Sequence, residues 1–170
     1  MSEKLRHFPE QDPDPLKPLS AKEKARVGEI LGGIKITPAD AAFSKCVRER
    51  AGWRCERCGA QHSPRSTGLH CSHHERRGHW SIRFNPMNAE ALCYGCHSAV
   101  GGTKARTEQV MTEAKYGLLN ERKNDLRLAK QYRATKGKGE IAKHYRDELS
   151  VMQERRECGE SGHIEFDEWL

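Results

Sequence analysis

The sequence predicts a small α+β domain stapled by four cysteines, with an arm before it and a helical extension after it. Three observations carry this reading. Cys55–Cys58 and Cys93–Cys96 form two CxxC pairs; the apolar supply is thin, at 35% of 170 residues against 32% charged; and helical periodicity dominates from about residue 107. A chain this polar builds only a small core and needs a metal, a partner or disulfides to support it.

Residues 1–36 form the arm. Pro9, Pro13, Pro15 and Pro18, mixed charges and the Gly32–Gly33 pair leave little periodicity beyond a short helix over residues 21–31. Thr37–Pro38 then reads as an N-cap followed by proline at the first helical position. Phe43, Cys46, Val47 and Ala51 recur at helical spacing, so a helix of about three turns ends near Gly52 and Trp53 packs at its exit. The cysteine- and histidine-rich stretch from 53 to about 103 carries short strand-like pieces, and residues 37–106 make the domain.

Residues 107–157 form the extension. Val110, Ala114, Leu118 and Leu119 mark one amphipathic helix, interrupted at Gly117. Leu126, Ala129, Gln131 and Tyr132 mark a second, residues 136–139 break the pattern, and Ile141, His144, Tyr145, Leu149 and Met152 mark a third. Residues 158–170 turn acidic, with Glu160, Glu165, Asp167 and Glu168, and read as a tail. There is no internal repeat.

The formal net charge of +6 favours a polyanionic partner. No stretch approaches the roughly 20 apolar residues of a membrane span, and the N-terminus lacks the apolar centre of a signal peptide. The expected location is therefore the cytoplasm, without membrane association. Seven cysteines there point to metal ligands or free thiols rather than disulfides.

Two CxxC turns supply four thiolates, each turn one edge of a zinc tetrahedron, and Gly59 eases the backbone after the first. A redox CxxC would want a βαβ setting and leaves the second pair unexplained. Cys55, Cys58, Cys93 and Cys96 are accordingly the expected structural zinc ligands. Cys46 and Cys158 stand alone as ordinary thiols, while Cys71 stays open.

Between the pairs the chain reads Leu69-His70-Cys71-Ser72-His73-His74-Glu75-Arg76-Arg77-Gly78-His79; Asn88 follows, and His97 comes directly after the last cysteine. Histidine serves as metal ligand or as general base near neutral pH. Phosphodiester cleavage requires a base to deprotonate water and a cation to stabilise the charge that develops.

A CxxC pair, a histidine ending a short strand, an asparagine five positions before a second pair and a histidine just after it resemble the HNH endonucleases. These are also termed His-Me finger or ββα-metal nucleases. The resemblance covers roughly residues 43–104. Ser72-His73, Arg83-Phe84-Asn85 and Tyr116-Gly117-Leu118 look more narrowly like the Rap/NinG recombination nucleases of phages. The resemblance implies a ββα-metal core and hydrolysis of DNA, with branched DNA such as a Holliday junction as substrate. It also implies His73 as general base, Asn88 as the residue holding the loop and orienting that base, and His97 as ligand of a catalytic magnesium or manganese ion.

One departure concerns the metal shell. Many members carry aspartate or histidine just before the base, where this chain has Ser72. Either the register shifts, with His73 on the metal and His74 as base, or His70 or water completes the shell.

Arg76 and Arg77 flank the base and suit a two-pronged hold on a phosphodiester. Lys104, Arg106, Lys136 and Lys138 are further candidates for phosphate contact. Nothing resembles a base-reading module, so recognition by DNA shape is expected. The helical half is a candidate homodimer surface, and the acidic tail a candidate docking segment for a phage protein. Two other readings stand beside the nuclease: a zinc-finger DNA-binding or regulatory protein without catalysis, and the nuclease of a phage packaging machine.

Overall fold

The computed structural model describes residues 36–64, 66–100, 113–135 and 139–170, all within one compact unit, Lys35–Leu170. The expected arm, with its helix over residues 21–31, lies outside the described residues.

Helix α1, Pro38–Arg50, starts where Thr37 caps it. Thr37 Oγ1 accepts from the Asp40 amide, and the Asp40 carboxylate accepts from the Thr37 amide, a reciprocal capping box with proline in the first turn. Phe43, Cys46 and Val47 are buried on one face. The helix ends in two successive left-handed residues, Gly52 at φ 58° and Trp53 at φ 57°. A non-glycine residue there carries strain of about 1–2 kcal/mol. Two contacts hold Trp53: its indole donates to Glu49 at 2.8 Å, and the Arg48 guanidinium lies 5.3 Å from its ring.

Strands β1, Leu69–His73, and β2, Ala89–Cys93, pair antiparallel, with Leu69 opposite Cys93 and His73 opposite Ala89. A short helix α2, Tyr94–Ala99, follows β2 directly, giving a β–β–α order. The hairpin packs against both α1 and α2. Alternation along β1 gives Leu69, Cys71 and His73 to one face, and the α1 residues Ser44, beside Cys71, and Phe43, beside His73, identify it as the α1 side.

Three further helices complete the unit: α3 Glu113–Lys123, α4 Leu126–Ala134 and α5 Glu140–Glu157. Gly117 does not interrupt α3; the helix runs through it, since one exposed glycine costs a helix only about 1 kcal/mol. Of the expected α3 stripe Val110 lies outside the described residues; Leu119 is buried, while Ala114 and Leu118 are exposed. In α4 Tyr132 is buried and Leu126 is exposed, because Leu128 supplies the packing instead. The α5 stripe holds at Ile141, Tyr145 and Met152.

The core is centred on the rings of Phe43, Phe84, Tyr132, Tyr145 and Phe166 and draws on the C-terminus. α5 packs along α1, and residues 158–170 fold back over both rather than standing off as a tail. The Ile164 amide donates to the Arg50 carbonyl, and Ile164 and Phe166 are buried. Phe166 meets Phe43 and Tyr145 edge-on, and Trp169 lies against Tyr132. Glu168 accepts from Asn85, Arg122 and Tyr132. These three bonds offset a burial that pushes its carboxyl pKa upward. The segment expected to dock a partner therefore has its apolar side chains committed within the chain.

Candidate functional site

The four expected zinc ligands converge. The sulfurs of Cys55, Cys58, Cys93 and Cys96 all lie within 4.8 Å of one another, the only group of three or more ligating side chains among the described residues. Cys58 and Cys93 sulfurs are 3.8 Å apart. Zinc–thiolate bonds of about 2.3 Å in a tetrahedron separate sulfurs by roughly 3.8 Å, so the donor set fits zinc in both chemistry and spacing. Gly59, at φ 75°, closes the first turn by donating to the Cys55 carbonyl. Burial opposes ionisation of Cys55, yet donation from the Cys58, Cys93 and Arg57 backbones brings its pKa down to about 6. Cys93 caps α2 through its sulfur, which accepts from the Cys96 amide. The cluster thus ties the exit of α1 to the junction of β2 and α2.

Cys71 is not part of it. Its thiol faces α1, and burial pushes its pKa up to about 12. Cys46 donates to the Tyr145 carbonyl at 2.9 Å, and burial likewise pushes it up to about 12. Cys158 is exposed.

Asn88 is fully buried and its amide is spent on the loop between the strands. Its oxygen accepts from the Glu75 amide at 2.8 Å, while its nitrogen donates to the carbonyls of Ile82 at 3.0 Å and Glu75 at 3.3 Å. The His74 amide donates to the Asn88 carbonyl at 2.8 Å, so Asn88 fixes the chain just beyond His73.

His73, half-buried, lies beside Phe43 with ring centroids 5.9 Å apart, and its Nε2 is 3.2 Å from the Arg83 carbonyl. A carbonyl only accepts, so Nε2 carries the proton and the lone pair of the neutral ring sits on Nδ1. His74 is fully buried; its Nε2 is 3.4 Å from Glu90 Oε1, and neither ring nitrogen makes a well-aligned hydrogen bond.

On the other face of β1, His70 meets His97 of α2, with their Nδ1 atoms 3.2 Å apart. At that separation one ring nitrogen can donate to the other, with the direction set by the tautomers. The structure therefore brings His97 to His70, and His73 to Arg83 and Phe43. Ser72 is buried, with its hydroxyl oxygen unbonded.

Arg76 is exposed and Arg77 half-buried in the loop that Asn88 holds. Lys104, Arg106, Lys136 and Lys138 lie outside the described residues.

No family model, curated protein or solved structure matches the chain. Among the described residues, no helix is long and apolar enough to cross a membrane.

Sequence reasoning overlooked Asp40, Arg83 as an anchor, and Glu90. Arg83 Nε and Nη2 grip both Asp40 oxygens at 2.9 and 2.7 Å, with side chains only 3% and 6% exposed. Burial opposes ionisation of Asp40, but the Arg83 and Thr37 bonds outweigh it and hold the carboxyl below its usual range. The capping-box position of Asp40, three residues after Thr37, was the readable signal; its pairing with a residue 43 positions on was not.

Proposed function

We infer that this chain is a zinc-stapled, metal-dependent DNA endonuclease of the HNH type, acting on branched DNA in phage recombination. One observation carries the reading: an antiparallel hairpin and a following helix, with an asparagine locking the intervening loop and histidines at both candidate positions. A zinc-finger binder needs the cysteines but has no use for that histidine–asparagine set.

His73 takes the base role in preference to His74. A base must reach water, and His74 has no exposed surface. His73 accepts the proton of the attacking water, and the Arg83 carbonyl beside its Nε2 stabilises the cationic ring that results. His97, with His70 beside it, would hold the divalent ion, which would supply positive charge at the scissile phosphate and the leaving oxygen. Arg76 and Arg77 approach the phosphodiester from the loop, and exposed Arg127, Lys130 and Arg133 on α4 extend the basic surface.

The test is cleavage of labelled linear duplex and four-way junction by the full chain in magnesium or manganese. Preferential junction cutting is expected. Equal cutting of both would retain the nuclease and remove the junction preference. Binding without cleavage of either would leave the zinc-finger DNA-binding reading.

A further inference from the structure

Two exposed cations of α5 are matched by acids, Lys143 with Asp147 and Arg155 with Glu160, each at 2.6 Å. α4 is built differently. Its sequence, Leu-Arg-Leu-Ala-Lys-Gln-Tyr-Arg-Ala, holds no carboxylate, and Arg127, Lys130 and Arg133 are all exposed. Three residues apart, they step round the helix by about 60° each and fill one arc that faces away from buried Tyr132. Among the described residues no acid pairs with Lys130 or Arg133, and Arg127 approaches only the Asp125 carboxylate, at 4.0 Å. That carboxylate already caps the helix, accepting from the Arg127 and Leu128 amides. Like charges one turn apart repel, so the stripe carries a repulsion that no internal partner relieves.

The stripe has a firm mount. Tyr132 ties α4 to the core, its hydroxyl donating to Glu168 Oε1 at 3.2 Å and its ring lying 5.9 Å from Phe84 and 5.3 Å from Trp169. The corner between α3 and α4 is pinned to the loop between the strands. There the Ser81 hydroxyl donates to the Lys123 carbonyl at 2.8 Å, and the Lys123 ammonium donates to Glu75 at 3.1 Å. The loop that carries Arg76 and Arg77 and the helix that carries the stripe are therefore fastened to each other.

The partner's chemistry follows from the helix. Three cations along roughly 9 Å suit a regular polyanion, and a DNA duplex carries about one negative charge per 1.7 Å of its axis. An unpaired strand is held by rings on which its bases stack, whereas the one aromatic residue of α4, Tyr132, is turned inward.

We propose that α4 is a phosphate rail for the duplex arm beside the cut site: Arg127, Lys130 and Arg133 contact its backbone and hold it by charge. This rests on DNA being the substrate.

The experiment measures binding of a labelled linear duplex, and of a single strand of equal length, by the full zinc-loaded chain. Fluorescence anisotropy is read from about 50 to 200 mM salt. A triple variant, Arg127→Gln, Lys130→Gln and Arg133→Gln, is compared with one of equal charge change on α5: Lys143→Gln, Arg146→Gln and Arg155→Gln. Each phosphate contact contributes about 0.9 to the slope of log affinity against log salt. The α4 variant is expected to have a slope shallower by about two to three, and duplex affinity lower by about tenfold or more at the low-salt end. The α5 variant keeps the wild-type slope within about one. Each α4 single variant lowers the slope by about one, which keeps the test available if the triple variant does not fold. An unchanged slope in the folded α4 variants, or an equal fall in both triple variants, overturns the proposal. A greater loss on the single strand than on the duplex makes an unpaired strand the occupant and overturns it too. If wild type binds duplex with the expected α4 dependence but cuts no DNA, the nuclease reading fails and the rail stands. Cleavage with an unchanged slope does the reverse, and no duplex binding by wild type removes both.

Discussion

Replacing Phe166 by alanine is the sharpest test of the C-terminal segment as core. Its ring is 6% exposed and meets Phe43 at 5.9 Å and Tyr145 at 6.1 Å, both close to edge-on, with the Arg50 guanidinium 5.9 Å away. Truncating a buried phenylalanine costs about 3–5 kcal/mol through lost transfer energy and the cavity left behind. A domain of this kind has about 5–15 kcal/mol in all, so the variant loses a large share of its stability. Phe43 also touches the His73 ring, so the damage reaches the candidate site. Urea unfolding of the zinc-loaded protein provides the assay, with Val151→Ala at an exposed α5 position as control, expected within about 0.5 kcal/mol of wild type. With a urea slope of about 1–3 kcal/mol per molar, the Phe166→Ala midpoint falls by roughly 1–5 M. A loss below about 1 kcal/mol would refute the reasoning, since no buried aromatic of this contact density is removed so cheaply.

Three further outcomes follow from the site. Of the seven cysteines, only exposed Cys158 reacts rapidly with a thiol reagent in the zinc-loaded protein; a chelator adds Cys55, Cys58, Cys93 and Cys96, with Cys46 and Cys71 slowest. Fast reaction of all seven before chelation would contradict a closed zinc site. Asn88→Ala strips the partner from the part-buried Glu75 amide and one of two donors from the Ile82 carbonyl, which keeps the Asn85 amide; the unpaired amide costs about 1–3 kcal/mol, and equal stability by urea unfolding would show that the loop does not depend on that side chain. The folded Asp40 carboxyl titrates below the unfolded one. Its contribution is therefore complete above the unfolded value of about 3.9 and disappears as the pH falls through the folded value. Thermal unfolding from pH 7 to pH 2 is accordingly expected to show an acid-side decline that is shallower in Asp40→Asn, and identical slopes would contradict the pairing with Arg83.

The four-cysteine cluster was legible because its geometry is local: each CxxC turn fixes two sulfurs, and the pairing of β1 with β2 only has to bring the turns together. The Thr37–Pro38 start of α1 was legible for the same reason, since a cap is written in four consecutive residues. The C-terminus was misjudged because its acidic content masked a period of two. Ile164 and Phe166 alternate with Glu165 and Asp167, an extended pattern that buries one face and solvates the other. Helical stripes at Leu118 and Leu126 failed because periodicity reports an apolar face without saying whether a neighbour covers it. The Asp40–Arg83 pair and the meeting of His70 with His97 join residues 43 and 27 positions apart. No sequence spacing announces such contacts; they depend on how the hairpin packs against α1 and α2.

The most direct test of the central claim is nicking of supercoiled plasmid by wild type, His73→Ala and His97→Ala, in magnesium and in manganese, with bound zinc quantified in each. Wild type is expected to nick only with added divalent ion. Both variants should keep one zinc per chain and lose nicking by at least a hundredfold, the low end of what a general base contributes. Full activity in zinc-loaded His73→Ala would contradict the account.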